Sequence, residues 1–212
     1  MDFSNGLSVV TPTLEARVLR VLVQTTRPLS GRQVARLVVH GSLGGVQKAL
    51  NRLAQQGIVL ADSHPSVTLF TFNRSHLGAG PVIELAQLGA ELVERLRGHI
   101  QAWEVQPQHA YLVGPAARQE GDDSTDVEIL LVHAISRRQQ VSVWASQVED
   151  LATATRLWTG NDTAIMNLSE ADLNRMQAEG GEVLASWRRD GIRLGGVHLQ
   201  QGQLAGAATT SP

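Results

Sequence analysis

Apolar positions recur at helical spacing near the start of the chain. Leu14, Val18, Val21 and Leu22 share one face and predict a first helix over about 13–24. Arg27-Pro28 ends it. Ser30-Gly31-Arg32-Gln33 has the form of a capping box, in which the Ser30 hydroxyl covers the Gln33 amide and Gln33 reaches back. Val34, Leu37 and Val38 give a second helix its buried stripe, and His40-Gly41 is a short turn. Ser42 is the cap expected for a third helix ending near Gly57, a residue suited to a left-handed position. Two short strands are predicted next, 58–60 and 67–72, with the turn-rich Asp62-Ser63-His64-Pro65-Ser66 between them.

A second series of elements follows. The hinge-like run 73–81 leads into a helical period through Ile83, Leu85, Leu88, Leu92, Leu96 and Ile100, which predicts one long connecting helix over 79–104. Ala110–Val113 reads as a strand. Gly114-Pro115 follows, and proline suits the first turn of the short helix expected over 116–120. The loop 121–125 leads into a β-rich apolar run, 126–132, and another strand is predicted over 164–168. Trp144, Trp158 and Trp187 lie in helical patterns and are expected in cores. The last residues, 200–212, are small and polar without periodicity, and a disordered tail is expected there. These elements give an α/β (α+β) fold class: an N-terminal module over 1–78, the connecting helix over 79–104 and a small mixed-sheet domain over 105–199.

Composition narrows the function classes. The chain of 212 residues contains no cysteine, which excludes disulfides, thiolate metal sites and a cysteine nucleophile. No apolar run approaches the length of a membrane span, and Met1-Asp2-Phe3-Ser4-Asn5 lacks a basic segment followed by an apolar one. A cytoplasmic protein with no membrane partner is expected.

Charge is unevenly divided. Residues 1–78 carry eight basic and three acidic side chains, a net of +5, while 79–212 carry ten and seventeen, a net of −7. A basic module attracts a polyanion, and an acidic one repels it unless metal intervenes. On the third predicted helix Val46, Ala49, Leu50 and Leu53 face the core. Gln47, Lys48, Asn51 and Arg52 then lie on the opposite face, where they can bond base edges or phosphates. Gly44 and Gly45 in its first turn would let the helix end approach a phosphate closely.

Two helices joined by a short glycine turn, then a hairpin, resemble the MarR-like winged helix-turn-helix domains over about residues 10–75. The resemblance implies double-stranded DNA as partner and a role in transcription regulation. It places Ser42, Gln47, Lys48, Asn51 and Arg52 at the major groove and His64 on the wing. Such proteins often dimerise, so a homodimer is expected.

The acidic half holds one constellation with catalytic meaning. If 126–132 is a strand, Asp126 and Glu128 point to one face, roughly 6.6 Å apart along it. Neighbouring carboxylates repel unless a cation lies between them, and oxygen ligands of this kind suit Mg²⁺. Leu112-Val113-Gly114 through Leu131 resembles the nucleotidyltransferase superfamily, the minimal type related to DNA polymerase beta, and Thr159-Gly160-Asn161-Asp162 also fits it. That resemblance implies Asp126 and Glu128 as catalytic metal ligands and a nucleoside triphosphate held by Gly114, Pro115 and Arg118. It further implies in-line transfer of a nucleoside monophosphate to a protein, nucleic-acid or small-molecule acceptor. Three positions depart from the pattern. Pro115 stands where the family has serine, Arg118-Gln119-Glu120 replaces Arg-Gly-Asp, and the strand expected to carry a third carboxylate offers Asn167 instead. The sequence therefore leaves two readings open. One is a DNA-binding regulator with a degenerate transferase-like domain, and the other is an active Mg²⁺-dependent transferase.

Overall fold

A computed structural model of the protein describes residues 1–38, 40–135, 137–179 and 182–196. The expected tail, 200–212, lies outside the described residues. The fold is of the α+β class, with two separate sheets among the described residues. The chain divides into two units, Asp2–Gly89 and Ala90–Pro212 with Met1.

The first unit begins with a 3₁₀ turn, Gly6–Val9, and α1, Leu14–Val23. Pro28 precedes a two-residue strand, β1, Leu29–Ser30. Ser30 then caps α2, Gly31–Leu37, with both arms of the capping box formed. His40 takes a left-handed conformation, φ 58°, and turns the chain into α3, Leu43–Gln55. Two long strands follow, β2, Val59–His64, and β3, Val67–Phe72. They pair antiparallel from Val59↔Phe72 to His64↔Val67, so the sheet order is β1-β3-β2. The hairpin is longer than the sequence suggested. Asp62, Ser63 and His64 are strand residues rather than turn residues, because Leu69, Thr68 and Val67 lie opposite them, and Pro65-Ser66 alone makes the bend. Three helices pack on this small sheet through Leu22, Val34, Val46, Leu50 and Phe70, each at most 1% exposed. The stripe Val46, Ala49, Leu50 and Leu53 of α3 is buried, which turns its opposite side to solvent.

The single long connecting helix expected over 79–104 is two helices, α4, Ala79–Ala86, and α5, Leu88–Gln101. At Gln87 the amide bonds the carbonyl of Glu84 in a tighter, 3₁₀-type closure, and the backbone leaves helical geometry at φ −101°, ψ 7°. The apolar period runs on across the break, so it gave no sign of the interruption.

The second unit continues with β4, His109–Val113, and α6, Gly114–Ala117. Then come β5, Val127–His133, α7, Arg138–Thr159, β6, Thr163–Ser169, α8, Glu170–Glu179, α9, Glu182–Asp190, and β7, Ile192–Gly196. The sheet order is β6-β5-β4-β7. β5 and β6 are parallel, joined by α7 as the crossover, while β4 is antiparallel to both its neighbours. Tyr111, Val113, Leu130 and Val132 face α8 and α9, where they pack with Leu173, Leu184 and Trp187. By strand alternation Ile129 and Leu131 point to the other face. α6 ends earlier than expected. Gln119 adopts a left-handed φ of 56°, and the Arg118 and Glu120 amides both return to the Pro115 carbonyl. Among the described residues no helix is long and apolar enough to cross a membrane.

Candidate functional site

The exposed side of α3 is built from its first turn. Ser42 caps the helix, its hydroxyl accepting from the Gly45 amide at 3.1 Å. A Cβ placed on Gly44 would meet no atom within 4 Å, so bare backbone faces solvent at the positive end of the helix. One turn on, Lys48 is exposed and forms no ion pair with the described residues. Asn51 follows on the same side and accepts a 3.1 Å bond from the Gln47 amide, which fixes both carboxamides against each other. Gln47 is half-buried, because its carbonyl end packs against Gly31 of α2. Arg52 is not free. It pairs with Glu15 of α1, although most of its side chain stays exposed. Arg32 and Arg36 on α2 are exposed as well. On the wing, His64 lies 3.1 Å from Asp62, so an acid accompanies the one titratable base there.

The structure therefore places Gln47, Lys48, Asn51 and Arg52 on α3 outside its buried stripe, with Ser42 at the N-cap of the same helix. His64 sits apart from them at the end of β2.

In the second unit, the fold joins Gly114 to Glu128. Val113 pairs with Glu128 across the β4–β5 ladder, and the chain turns at Gly114 with φ 68°. A Cβ at Gly114 would come within 2.6 Å of the Glu128 carboxyl carbon, so that carboxylate lies directly over the glycine backbone. Asp126 is exposed and stands one residue outside β5, which starts at Val127. The expectation that both acids project from one strand is corrected in that respect. The Val127 amide bonds the Asp162 carbonyl just ahead of the β6 ladder, and regular pairing begins there.

Several groups around this corner are engaged within the unit. Pro115, in the first turn of α6, has no amide hydrogen to offer a phosphate. Arg118 is turned onto acids of its own unit: it donates to Glu120 at 2.8 Å and lies 3.9 Å from Asp190. Asn167, on β6, accepts the Trp144 indole N–H at 3.0 Å. Among the described residues no group of three acids or histidines could hold a metal ion. Asp190 is held below the ordinary carboxylate range by the Arg189 guanidinium, which donates to both its oxygens at 3.0 Å.

Two residues whose roles sequence reasoning did not assign shape this corner. Asn161 is 2% exposed and donates to the carbonyls of Asp122 and Thr125, at 3.2 and 2.9 Å, which fixes the loop leading to Asp126. Asp122 folds the same loop on itself. Its carboxylate accepts from the Ser124 hydroxyl at 2.7 Å and the Ser124 amide at 3.0 Å, and these bonds lower its pKa. The Asp-x-Ser-Thr order was the signal for that turn. The role of Asn161 had no local signal, since its partners lie 36 and 39 residues away.

No protein-family model matches the chain, and no curated protein matches it. Among solved structures, TrmBL2, an archaeal chromatin protein with a novel mode of DNA binding, superposes with a TM-score of 0.28. The two share 16% identity over 82% of this chain and 71% of that one. A likeness at this level carries no functional weight.

Proposed function

We propose that the Asp2–Gly89 unit binds duplex DNA, with α3 entering the major groove and the β2–β3 hairpin lying along the backbone. The observation that carries this reading is the exposed side of α3. It presents bare backbone at Gly44, an unpaired cation at Lys48 and a locked carboxamide pair at Gln47 and Asn51. Each feature suits a groove-reading helix: a helix N-terminus binds phosphate, a lysine reaches the backbone, and carboxamides offer donors and acceptors to base edges. The +5 charge of residues 1–78 supplies the attraction that precedes any specific contact. On this reading the protein is a transcription regulator.

The Ala90–Pro212 unit serves this regulator without metal-dependent nucleotidyl transfer. Support comes from Pro115, from the turning of Arg118 onto Glu120, and from the engagement of Asn167 by Trp144.

The test is anisotropy of a labelled 30-base-pair duplex titrated with the whole protein between 50 and 300 mM KCl. Each neutralised phosphate contributes roughly 0.9 to the slope of log K against log salt. Lys48→Ala should flatten that slope by about one and weaken all sequences alike. Affinity indifferent to salt would sink the proposal. A parallel incubation with labelled nucleoside triphosphates and Mg²⁺ tests the second unit. Label transfer that Asp126→Ala abolishes would establish a transferase instead.

A further inference from the structure

The face of the second sheet opposite Glu128 contains a cleft. It lies between α7 and β6, one of the two edge strands, and measures about 510 Å³. Sites for small organic molecules run from about 300 to 1,000 Å³. The cleft arises from the sequence of α7. Trp144 and Leu151 are buried, but the neighbouring stripe Val141, Ala145, Val148 and Ala152, spaced four, three and four residues apart, ends in short side chains and leaves room beside Ile165.

The polar groups gather where His133 and Asn167 line this apolar space. Asn167 is exposed and its oxygen accepts the Trp144 indole N–H, so its amide hydrogens have no acceptor among the described residues and meet solvent at the cleft. The Nδ1 atom of His133 accepts from the Ile135 amide at 3.4 Å, which leaves Nε2 as the ring nitrogen available to donate. Its ring is held edge-on against Trp144, with centroids 5.2 Å apart. Both residues thus have an acceptor satisfied and a donor to spare. The carboxylate of Glu149, also lining the cleft, disfavours an anion.

We propose that this cleft binds a small neutral molecule with an apolar body and one carbonyl-type hydrogen-bond acceptor, received by His133 and Asn167. It is a site separate from the Gly114–Glu128 corner and independent of DNA binding.

The experiment uses the full chain labelled with 5-fluorotryptophan, titrated with 2-nonanone and followed by fluorine NMR. The Trp144 line is identified by its loss in Trp144→Phe. That line should shift saturably, while the line of Trp187, in the core on the other sheet face, stays in place. Ala145→Phe, at an exposed position, fills the cleft and should weaken binding at least tenfold. Should that variant not fold, Val141→Trp, 54% exposed at the cleft mouth, replaces it. Thr153→Phe, exposed on α7 away from the lining, should change nothing. His133→Phe should weaken binding about fivefold, the effect of one lost hydrogen bond. No saturable shift up to the solubility limit overturns the proposal, as does a shift that survives filling of the cleft. A concentration-dependent dimer that Ala145→Phe dissociates overturns it too, because a second copy of the chain then covers this surface.

Discussion

Arg52 of α3 forms an ion pair with Glu15 of α1, so the surface proposed to meet DNA holds back one of its own cations. The pair is largely exposed on the arginine side, and pairs of this kind contribute about 0.2–1 kcal/mol. Glu15→Gln should therefore change the thermal midpoint little. It should release Arg52 for a phosphate, tighten DNA binding and steepen the salt slope by about one. Anisotropy titrations of the two proteins at several salt concentrations check this. Equal slopes would mean that Arg52 makes no phosphate contact.

Gly44 separates stability from binding. A methyl group there meets open space, and replacing a helical glycine by alanine stabilises by about 0.5–1 kcal/mol. Gly44→Ala should raise the unfolding free energy by that amount in a denaturant titration. If the helix end approaches a phosphate through bare backbone, the same variant should bind DNA more weakly. A variant both more stable and equally tight would place the DNA elsewhere on α3.

Gly114 has two independent reasons to be glycine: a φ of 68° and the Glu128 carboxylate above it. Gly114→Ala should destabilise by about 1–3 kcal/mol, combining left-handed strain with the crowding. In a Glu128→Ala background the crowding disappears and the strain remains, so the cost should shrink without vanishing. A double-mutant cycle by urea unfolding measures the difference. Zero coupling would show that the carboxylate swings away freely.

Acid should loosen the second unit through Asp172. Its carboxylate accepts from the Ser169 hydroxyl at 2.6 Å and the Ser169 amide at 3.1 Å at the start of α8, and these bonds lower its pKa, with Arg175 adding to the effect. A carboxylate with a lowered folded pKa stabilises fully above its unfolded value, near 4, and loses that contribution as pH falls through the lowered value. Unfolding free energy should thus drop as pH falls below about 4, and less steeply in Asp172→Asn. Carbon NMR titration should show Asp172 and Asp122 ionising below the ordinary range. Titration of Asp172 at its ordinary value would remove this cap from the account of acid sensitivity.

The helices of the first unit were readable because their signals are local. Ser30 and Gln33 are three residues apart, and so are Ser42 and Gly45; each cap is decided by neighbours along the chain. The α3 stripe is likewise a matter of spacing within one helix. Glu128 and Gly114 were both visible as residues of interest, but only as types at a spacing. Their contact depends on the register that sets Val113 opposite Glu128.

The sequence by itself determined where the caps and apolar stripes fall, and with them which face of α3 stays polar, since helical period and capping act over one turn. Tertiary structure decided what those side chains meet. It gave Arg52 to Glu15, Asn167 to Trp144 and Arg118 to Glu120 and Asp190, and it let short side chains on α7 open a cleft beside β6. Most of these contacts join positions far apart in the chain. Even the near one, Arg118 with Glu120, depended on where α6 ended. Their partners were fixed by how strands and helices packed, and no local pattern records that.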